Sequence, residues 1–340
     1  MIKLRKPEPV RALFEAPYFL TEESVMGINL DFIIALTPAL VWGVICFGLR
    51  ALAVVLLSVC TAVISETVWK LIFRQRIETN DLSAVLCGLV LGLCLPASVP
   101  YWMPVAGAFV AVVLFKQLPK LFGRGFCVPA VGGYLFLSFF QNELTHSPKA
   151  FEYLSAAKFS FDVSELAEIP LLAVNRAELQ GLSVFDLLLG RCPGAIGEVS
   201  VLLIAAGIIY LIWRRVLSWK LPVYMLLSTA LISGLFPVTL DRVDSMFAEV
   251  FSGAAMLGLI VAFSDFSGVP VTDSGREIYA VACGALCIGL RYTGLCAEGA
   301  FPAIFIMNLL SVPLDRLLQP KFFGSGKQQI KEKKGKEEKQ

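Results

Sequence analysis

Ser83-Ala-Val-Leu-Cys-Gly-Leu-Val-Leu-Gly-Leu-Cys-Leu-Pro96 decides the fold. The stretch carries no charge, so it has no face to offer water. It is also shorter than the about 20 apolar residues that a helix needs to cross hydrocarbon, and it closes on a proline. A short apolar segment with such a stop reads as a broken or re-entrant membrane helix. A second stretch matches it. Glu249-Val-Phe-Ser-Gly-Ala-Ala-Met-Leu-Gly-Leu-Ile-Val-Ala-Phe263 also begins at an acid, carries spaced glycines and runs into a polar break, Ser264-Asp265-Phe266-Ser267-Gly268. Gly/Pro-interrupted segments at corresponding places in two halves of a chain point to a path or site near the middle of a membrane. The same small residues also let helices pack closely.

Composition agrees with a lipid solvent. The chain is 57% hydrophobic and 16% charged, with a mean hydropathy of +0.74. A soluble chain carries roughly a quarter charged residues. The net charge of +2 gives no reason to expect nucleic acid. The nine cysteines are scattered singly, mostly in apolar runs, and none forms a C-x-x-C pair. With His146 the single histidine, neither a His-rich metal site nor a Ser/His/Asp arrangement is expected. Gly123-Arg-Gly125 lacks the spacing and the Lys-Ser/Thr of a phosphate loop.

Apolar segments fall at about 30–49, 51–72, 83–97, 101–117, 128–142, 198–213, 219–238, 246–264, 277–291 and 299–317. This is an all-α polytopic membrane protein of about ten spans. With the N-terminus inside, the cytoplasmic connections collect Lys70, Arg74 and Arg76, then Lys116, Lys120 and Arg124, then Arg214, Arg215 and Lys220, then Arg276. The external short loops hold little more than Arg50 and Arg242, which is the expected positive-inside bias. Residues 1–28 lack the pattern of a secretory signal and read as a cytoplasmic segment. Residues 29–142 form a first membrane half, 143–197 an external cap, and 198–318 a second half. The basic tail, 319–340, is expected to be cytoplasmic and disordered. Five spans on each side of the cap make any repeat of the halves an inverted one.

Charges inside the apolar runs are costly and mark function. Glu66 lies within the second segment, with Lys70 four residues on, the favourable order for a local ion pair. Asp81 stands at the start of the third segment and Glu249 at the start of the eighth, where a carboxylate also suits a helix N-terminus. Asp265 sits in the polar break, and Arg291 and Glu298 flank the turn between the last two spans. Glu66, Asp81, Ser252, Gly253, Asp265 and Glu298 are the residues expected along an ion path or pocket.

Several pieces together resemble the RnfD/NqrB family, the membrane subunits of the Rnf and Na⁺-translocating NADH:quinone oxidoreductase complexes. In order, they are Phe32 to Gly43; Asp81-Leu-Ser-Ala through Pro96; Lys116-Gln-Leu118; Gly125 to Ala130; Gly194-Ala-Ile-Gly-Glu-Val-Ser200; Ser252-Gly-Ala-Ala-Met-Leu-Gly258; and Glu298-Gly to Asn308 followed by Pro313-Leu-Asp315. The likeness is nearer the RnfD branch. It implies two inverted five-span repeats similar to urea and ammonium channels, in a bacterial inner membrane. It also implies other subunits of an Rnf-type complex as partners, and electron transfer between ferredoxin and NAD⁺ coupled to Na⁺ or H⁺ transport.

The family joins an FMN by a phosphoester to a threonine in the large loop after the fifth span. Here the corresponding sequence is Ser164-Glu-Leu-Ala-Glu-Ile-Pro-Leu171, which places Ile169 where the threonine is expected. Isoleucine has no hydroxyl, and no threonine occurs between Thr145 and Thr229. Ser164 is the nearest hydroxyl, at a different spacing. Val128 stands for the family's asparagine, Ala255 for its threonine, and Phe266-Ser-Gly268 interrupts its T-D-P-V-T motif. The expected function is a membrane component of an Rnf-type redox pump. The alternatives are a non-redox channel or transporter on the same scaffold, and a structural component without flavin.

Overall fold

Ser24 opens the first helix: its hydroxyl accepts the Gly27 N–H at 3.1 Å, satisfying one of the free donors of the first turn. The helix, α1 (Val25–Phe47), stops at Gly48, whose φ of 76° lies in the left-handed region that glycine enters without strain. α2 (Leu49–Ile72) departs at once, so a single residue turns the hairpin. The computed structural model describes residues 24–74, 81–121, 125, 127–140, 144, 146–148, 166–168, 194–237, 242–251, 254–293 and 298–318.

After α2 come α3 (Ser83–Leu93) and α4 (Trp102–Val110), which continues without a break through a π-helical turn (Ala111–Gln117) into Leu118–Leu121. α5 (Pro129–Leu137) begins with proline, whose missing N–H costs nothing in a first turn. A two-stranded antiparallel ladder pairs β1 (His146–Pro148) with β2 (Leu166–Glu168). The second half holds α6 (Val201–Trp213), α7 (Lys220–Leu235), α8 (Arg242–Phe251), α9 (Ala254–Phe263), α10 (Asp273–Thr293) and α11 (Ala300–Leu317). Each apolar segment read from the sequence coincides with a helix; the eighth is represented by α8 and α9.

The outer surface identifies the solvent. α1 and α2 turn Ile34, Val41, Ile45, Leu56, Ile64 and Val68 outward, and Ile209, Leu227 and Leu231 do the same in the second half. So many large apolar side chains turned outward are stable against lipid and not against water. Exposed Trp213 and Trp219 lie beside Arg214, Arg215 and Lys220, as aromatic residues do at a membrane–water boundary. The protein is a polytopic, helical membrane protein.

α1, α2 and α11 are each long and apolar enough to cross a bilayer alone. α3 is not: its 11 residues rise about 16 Å, half the hydrocarbon thickness. The chain beyond it is non-helical, and so is the chain beyond α9, where Asp265 caps a 3₁₀ turn (Phe266–Gly268) by accepting the Ser267 N–H at 3.0 Å. Exposed backbone cannot survive in hydrocarbon, so both breaks must be closed by protein. At the first, Ile196 N–H donates to Leu95 O at 3.0 Å and Gly197 N–H to Leu93 O at 2.8 Å, with Pro96 and Ala195 forming an isolated bridge. The segment before α6 thus completes the end of α3.

Packing in the two halves runs in parallel. α2 packs on α3 and α4, as α7 packs on α8 and α10; α4 packs on α5, as α10 packs on α11. α1 meets α6 and α5 meets α11 across the seam between the halves. Glycines set the closest approaches. A Cβ on Gly43 would lie 2.3 Å from Ile196 O, and one on Gly207 would lie 2.4 Å from Ala35 O. A Cβ on Gly88 would lie 2.6 Å from Val59 Cα and 2.9 Å from Ser58 O, the carbonyl of a residue whose own hydroxyl donates to Gly88 O at 2.8 Å. Backbone atoms cannot step aside as a side-chain tip can. Gly88→Val is therefore expected to push α2 from α3 and destabilise the protein by about 1–3 kcal/mol or more. Gly289→Ala, with nothing within 4 Å of the added methyl, is expected to leave the melting temperature in detergent unchanged or higher.

Candidate functional site: a polar cavity and a buried acid cluster

The starts of α1, α3 and α5, the π turn of α4 and the break after α9 enclose a cavity of about 360 Å³. This is within the range of small-ligand sites. Its wall brings together Asp81 and Asp265, two of the expected site residues, with Asn29, Ser83, Lys116 and Ser264. Phe115, Phe266 and Val128 supply apolar wall. Asn29 Nδ2 donates to Asp81 O at 2.6 Å, tying the start of α1 to the residue two before α3. Leu82, between Asp81 and the helix, is left-handed with φ of 53°, and α3 begins without a side-chain cap. The Asp81 carboxylate is therefore not spent on capping α3.

Glu66 stands behind the wall. It is 6% exposed and is held by Lys70 at 3.0 Å and by Lys116 at 2.6 Å. The local Glu66–Lys70 pair expected from the sequence is present. The stronger constraint is Lys116, itself 6% exposed, which also donates to Ser83 Oγ at 2.9 Å. Lys116 is carried by the π turn of α4, where the helix makes one wider turn. Such turns are rare and concentrate at functional sites. Lys116, a cytoplasmic loop base by its place in the sequence, lies inside, on the cavity wall.

Asn308 of α11, fully buried, locks the far side. Its amide, oriented to satisfy both neighbours, donates to Gly268 O at 3.2 Å and accepts the Val128 N–H at 3.1 Å. One side chain thereby joins the loop before α5 to the break after α9. Gly125 abuts the same break, where an added Cβ would lie 2.8 Å from Ser267 Oγ. Asp315, lower on α11, accepts the N–H groups of Val271 at 3.0 Å and Thr272 at 3.3 Å.

Glu298 belongs to a different place. It is 2% exposed, and Glu198 in the segment before α6 is 5% exposed. Close by, Arg291 of α10 pairs with Glu249 and donates to the Glu249 carbonyl at 3.0 Å. Glu249 lies in the last turn of α8, so it is the anion of a buried ion pair and not an N-terminal helix carboxylate. Glu198 was not singled out from the sequence, although it sits in the Gly194–Ser200 motif. The structure thus divides the expected path into a cavity with Asp81 and Asp265 and an interior cluster with Glu298. Ser252, Gly253, Ser164 and Ile169 lie outside the described residues.

Lys116 holds the wall together by compensating a buried carboxylate. Removing one partner of a buried pair leaves an uncompensated charge and costs about 3–5 kcal/mol. Lys116→Met is expected to lower the melting temperature sharply, and adding Glu66→Gln is expected to restore much of the loss. A Lys116→Met protein as stable as the parent would show that the pair does not hold the wall.

Comparison with known proteins gives this geometry a context. The chain is 31% identical over 313 residues to the D subunit of the Na⁺-translocating ferredoxin:NAD⁺ oxidoreductase complex of Acetobacterium woodii, covering 91% of this chain and 94% of the relative. It is 30% identical over 324 residues to the D subunit of the proton-translocating ferredoxin:NAD⁺ oxidoreductase complex of Clostridium ljungdahlii, covering 91% and 95%. It is 27% identical over 340 residues to the D subunit of the ion-translocating oxidoreductase complex of Halorhodospira halophila, covering 92% and 95%. The model of the NQR2, RnfD, RnfE family matches residues 13–324, which takes in both clusters and the helices that carry them. The chain belongs to the NQR2, RnfD, RnfE family.

Proposed function

We propose that this protein is the D-type membrane component of an Rnf-type complex, which couples electron transfer between ferredoxin and NAD⁺ to movement of Na⁺ or H⁺ across a bacterial cell membrane. The observation that carries this reading is end-to-end similarity to subunits of such complexes, extending through both polar clusters. The partners are the other subunits of the complex. The matched packing of α2–α5 and α7–α11 supports two inverted five-span repeats. The Lys/Arg bias of the loops supports cytoplasmic termini.

Within that assembly, the chain's own contribution is a scaffold with a polar path. Asp81, Asp265 and Lys116 offer both signs of charge at the cavity wall, and Glu298 is buried away from that wall. Glu66 serves to hold Lys116 in place.

The family's covalent FMN does not fit this sequence. A phosphoester needs a side-chain oxygen, and Ile169 at the acceptor position has none. The chain is expected to carry no covalent flavin, and redox steps fall to partner subunits. The second reading, a channel or transporter without redox chemistry, draws on that same substitution.

Purification of the tagged chain from its native membrane tests these readings. Iron–sulfur and flavoprotein subunits are expected to co-purify; recovery of the chain alone, with solute flux in liposomes, would replace the redox reading with the transporter. The denatured chain is expected to show no flavin fluorescence in a gel and an intact mass equal to the bare polypeptide. A mass increment of one FMN would place the attachment elsewhere, with Ser164 the first residue to examine.

A further inference from the structure

A second cavity, also of about 360 Å³, opens between the α6–α7 hairpin and the chain that runs from the end of α9 to the first turn of α10. Two arginines line it, Arg215 from the hairpin and Arg276 from α10, together with Ser218 and Trp219. None of its described lining residues is acidic, and neither arginine pairs with a carboxylate among the described residues. The neighbouring bases are already matched: Arg214 lies 3.2 Å from Asp31, and Lys220 lies 2.9 Å from Glu277. Two uncompensated positive charges on one small space repel, and an anion held between them removes the conflict.

The backbone holds Arg215 in an unfavourable place. α6 ends in a doubly hydrogen-bonded turn, in which Val216 N–H donates to Leu211 O at 3.1 Å and Arg215 N–H to Ile212 O at 3.0 Å. The residue at the position of Arg215 in such a turn is left-handed, and glycine is its usual occupant. Arg215 takes a φ of 61° there. The end of α6 does not require this second base, because Arg214 already stands at the negative pole of the helix. A strained position occupied by a charged side chain points to a task for that side chain. Arg276 is steadied in another way. Its Nε donates to Pro270 O at 3.0 Å, which fixes the guanidinium and leaves both Nη groups without a hydrogen bond among the described residues. A planar fork presented in this manner matches the oxygens of a phosphate.

The surroundings identify where the phosphate comes from. Trp213 and Trp219 are 80% and 61% exposed, as side chains are where lipid meets water. Phe263, Phe266 and Leu221 give the cavity an apolar wall beside the two charges. A soluble anion would gain nothing from that wall, whereas a lipid carries its phosphate and its hydrocarbon on one molecule. Basic pockets between membrane helices bind anionic headgroups for this reason. We propose that Arg215 and Arg276 form a binding site for the phosphate of an anionic phospholipid of the surrounding bilayer, with the Ser218 hydroxyl as a further donor. The lipid ties the α6–α7 hairpin to the break after α9. Phe266 lines both this cavity and the polar one, so the lipid steadies the wall that carries Asp265. The site goes beyond the proposed redox role and does not rest on it.

Native mass spectrometry of the full-length protein, in the assembly in which it purifies, tests the site. The protein is titrated with dioleoylphosphatidylglycerol, with dioleoylphosphatidylcholine and with inorganic phosphate. The parent is expected to bind the glycerol lipid more tightly than the choline lipid, which would bring a third cation to the two arginines. Arg215→Asn removes the charge and suits a left-handed residue, so it is expected to fold as the parent does. Its affinity for the glycerol lipid is expected to fall about fivefold, the usual contribution of one base at an anionic membrane surface. Arg276→Gln is expected to lose a similar factor. Arg316→Gln removes an exposed base outside the cavity and is expected to change nothing. Unchanged affinity in Arg215→Asn, an equal loss in Arg316→Gln, or choline lipid bound as tightly as glycerol lipid would each overturn the proposal. Displacement of the glycerol lipid by an equal concentration of inorganic phosphate would assign the site to a soluble anion and overturn the lipid. If Arg276→Gln fails to accumulate, Arg215→Asn decides alone.

Discussion

Every interruption of a helix inside a membrane leaves backbone donors and acceptors that no solvent will meet, and the whole arrangement of this protein follows from closing two such interruptions. α3 stops half-way across. Its end is completed by the N–H groups of Ile196 and Gly197, which come from the segment leading into α6. α9 also stops short, and its break is held by Asp265, by Asn308 from α11 and by the Asp315 carboxylate below it. Each unmet backbone group in hydrocarbon would cost several kcal/mol. Hydrogen bonds at these breaks therefore add to the close helix packing that joins the two parts of the chain.

Polar side chains gather where these closures occur because backbone that leaves a helix opens space and offers partners. The cavity lies at the second break and the acid cluster at the first. Broken helices made the sequence informative: an unusually short apolar run ending at Pro96 and another ending at Ser264-Asp265 marked both places. The long spans were legible for the simplest reason, that lipid demands apolar residues on every outward face. The loop bases were legible through the positive-inside bias.

Other features were hidden for reasons equally physical. Lys116 reads as a loop base because composition does not reveal a π turn, and one extra residue in a turn brings Lys116 against Glu66 and Ser83. Glu249 reads as a helix-start carboxylate because its partner, Arg291, lies on another helix. Glu198 and Glu298 are remote in sequence, and only the fold buries both. Pairings of this kind are tertiary and leave no periodic trace. The Glu66–Lys70 pair, set by helical geometry alone, could be read directly.

The glycine contacts also have a mechanical meaning. Where Gly43 rests on the Ile196 carbonyl and Gly207 on that of Ala35, main chain comes directly against main chain. A joint of bare backbones works like a dovetail. It tolerates pressure across the joint and resists sliding along it, because a displacement of an ångström or two drives neighbouring Cβ atoms into main chain. Large rocking of one half past the other is therefore mechanically opposed at these points. The compliant parts are the unwound stretches beyond α3 and α9 and the side chains they present, so movement within the interior is confined to short, local displacements.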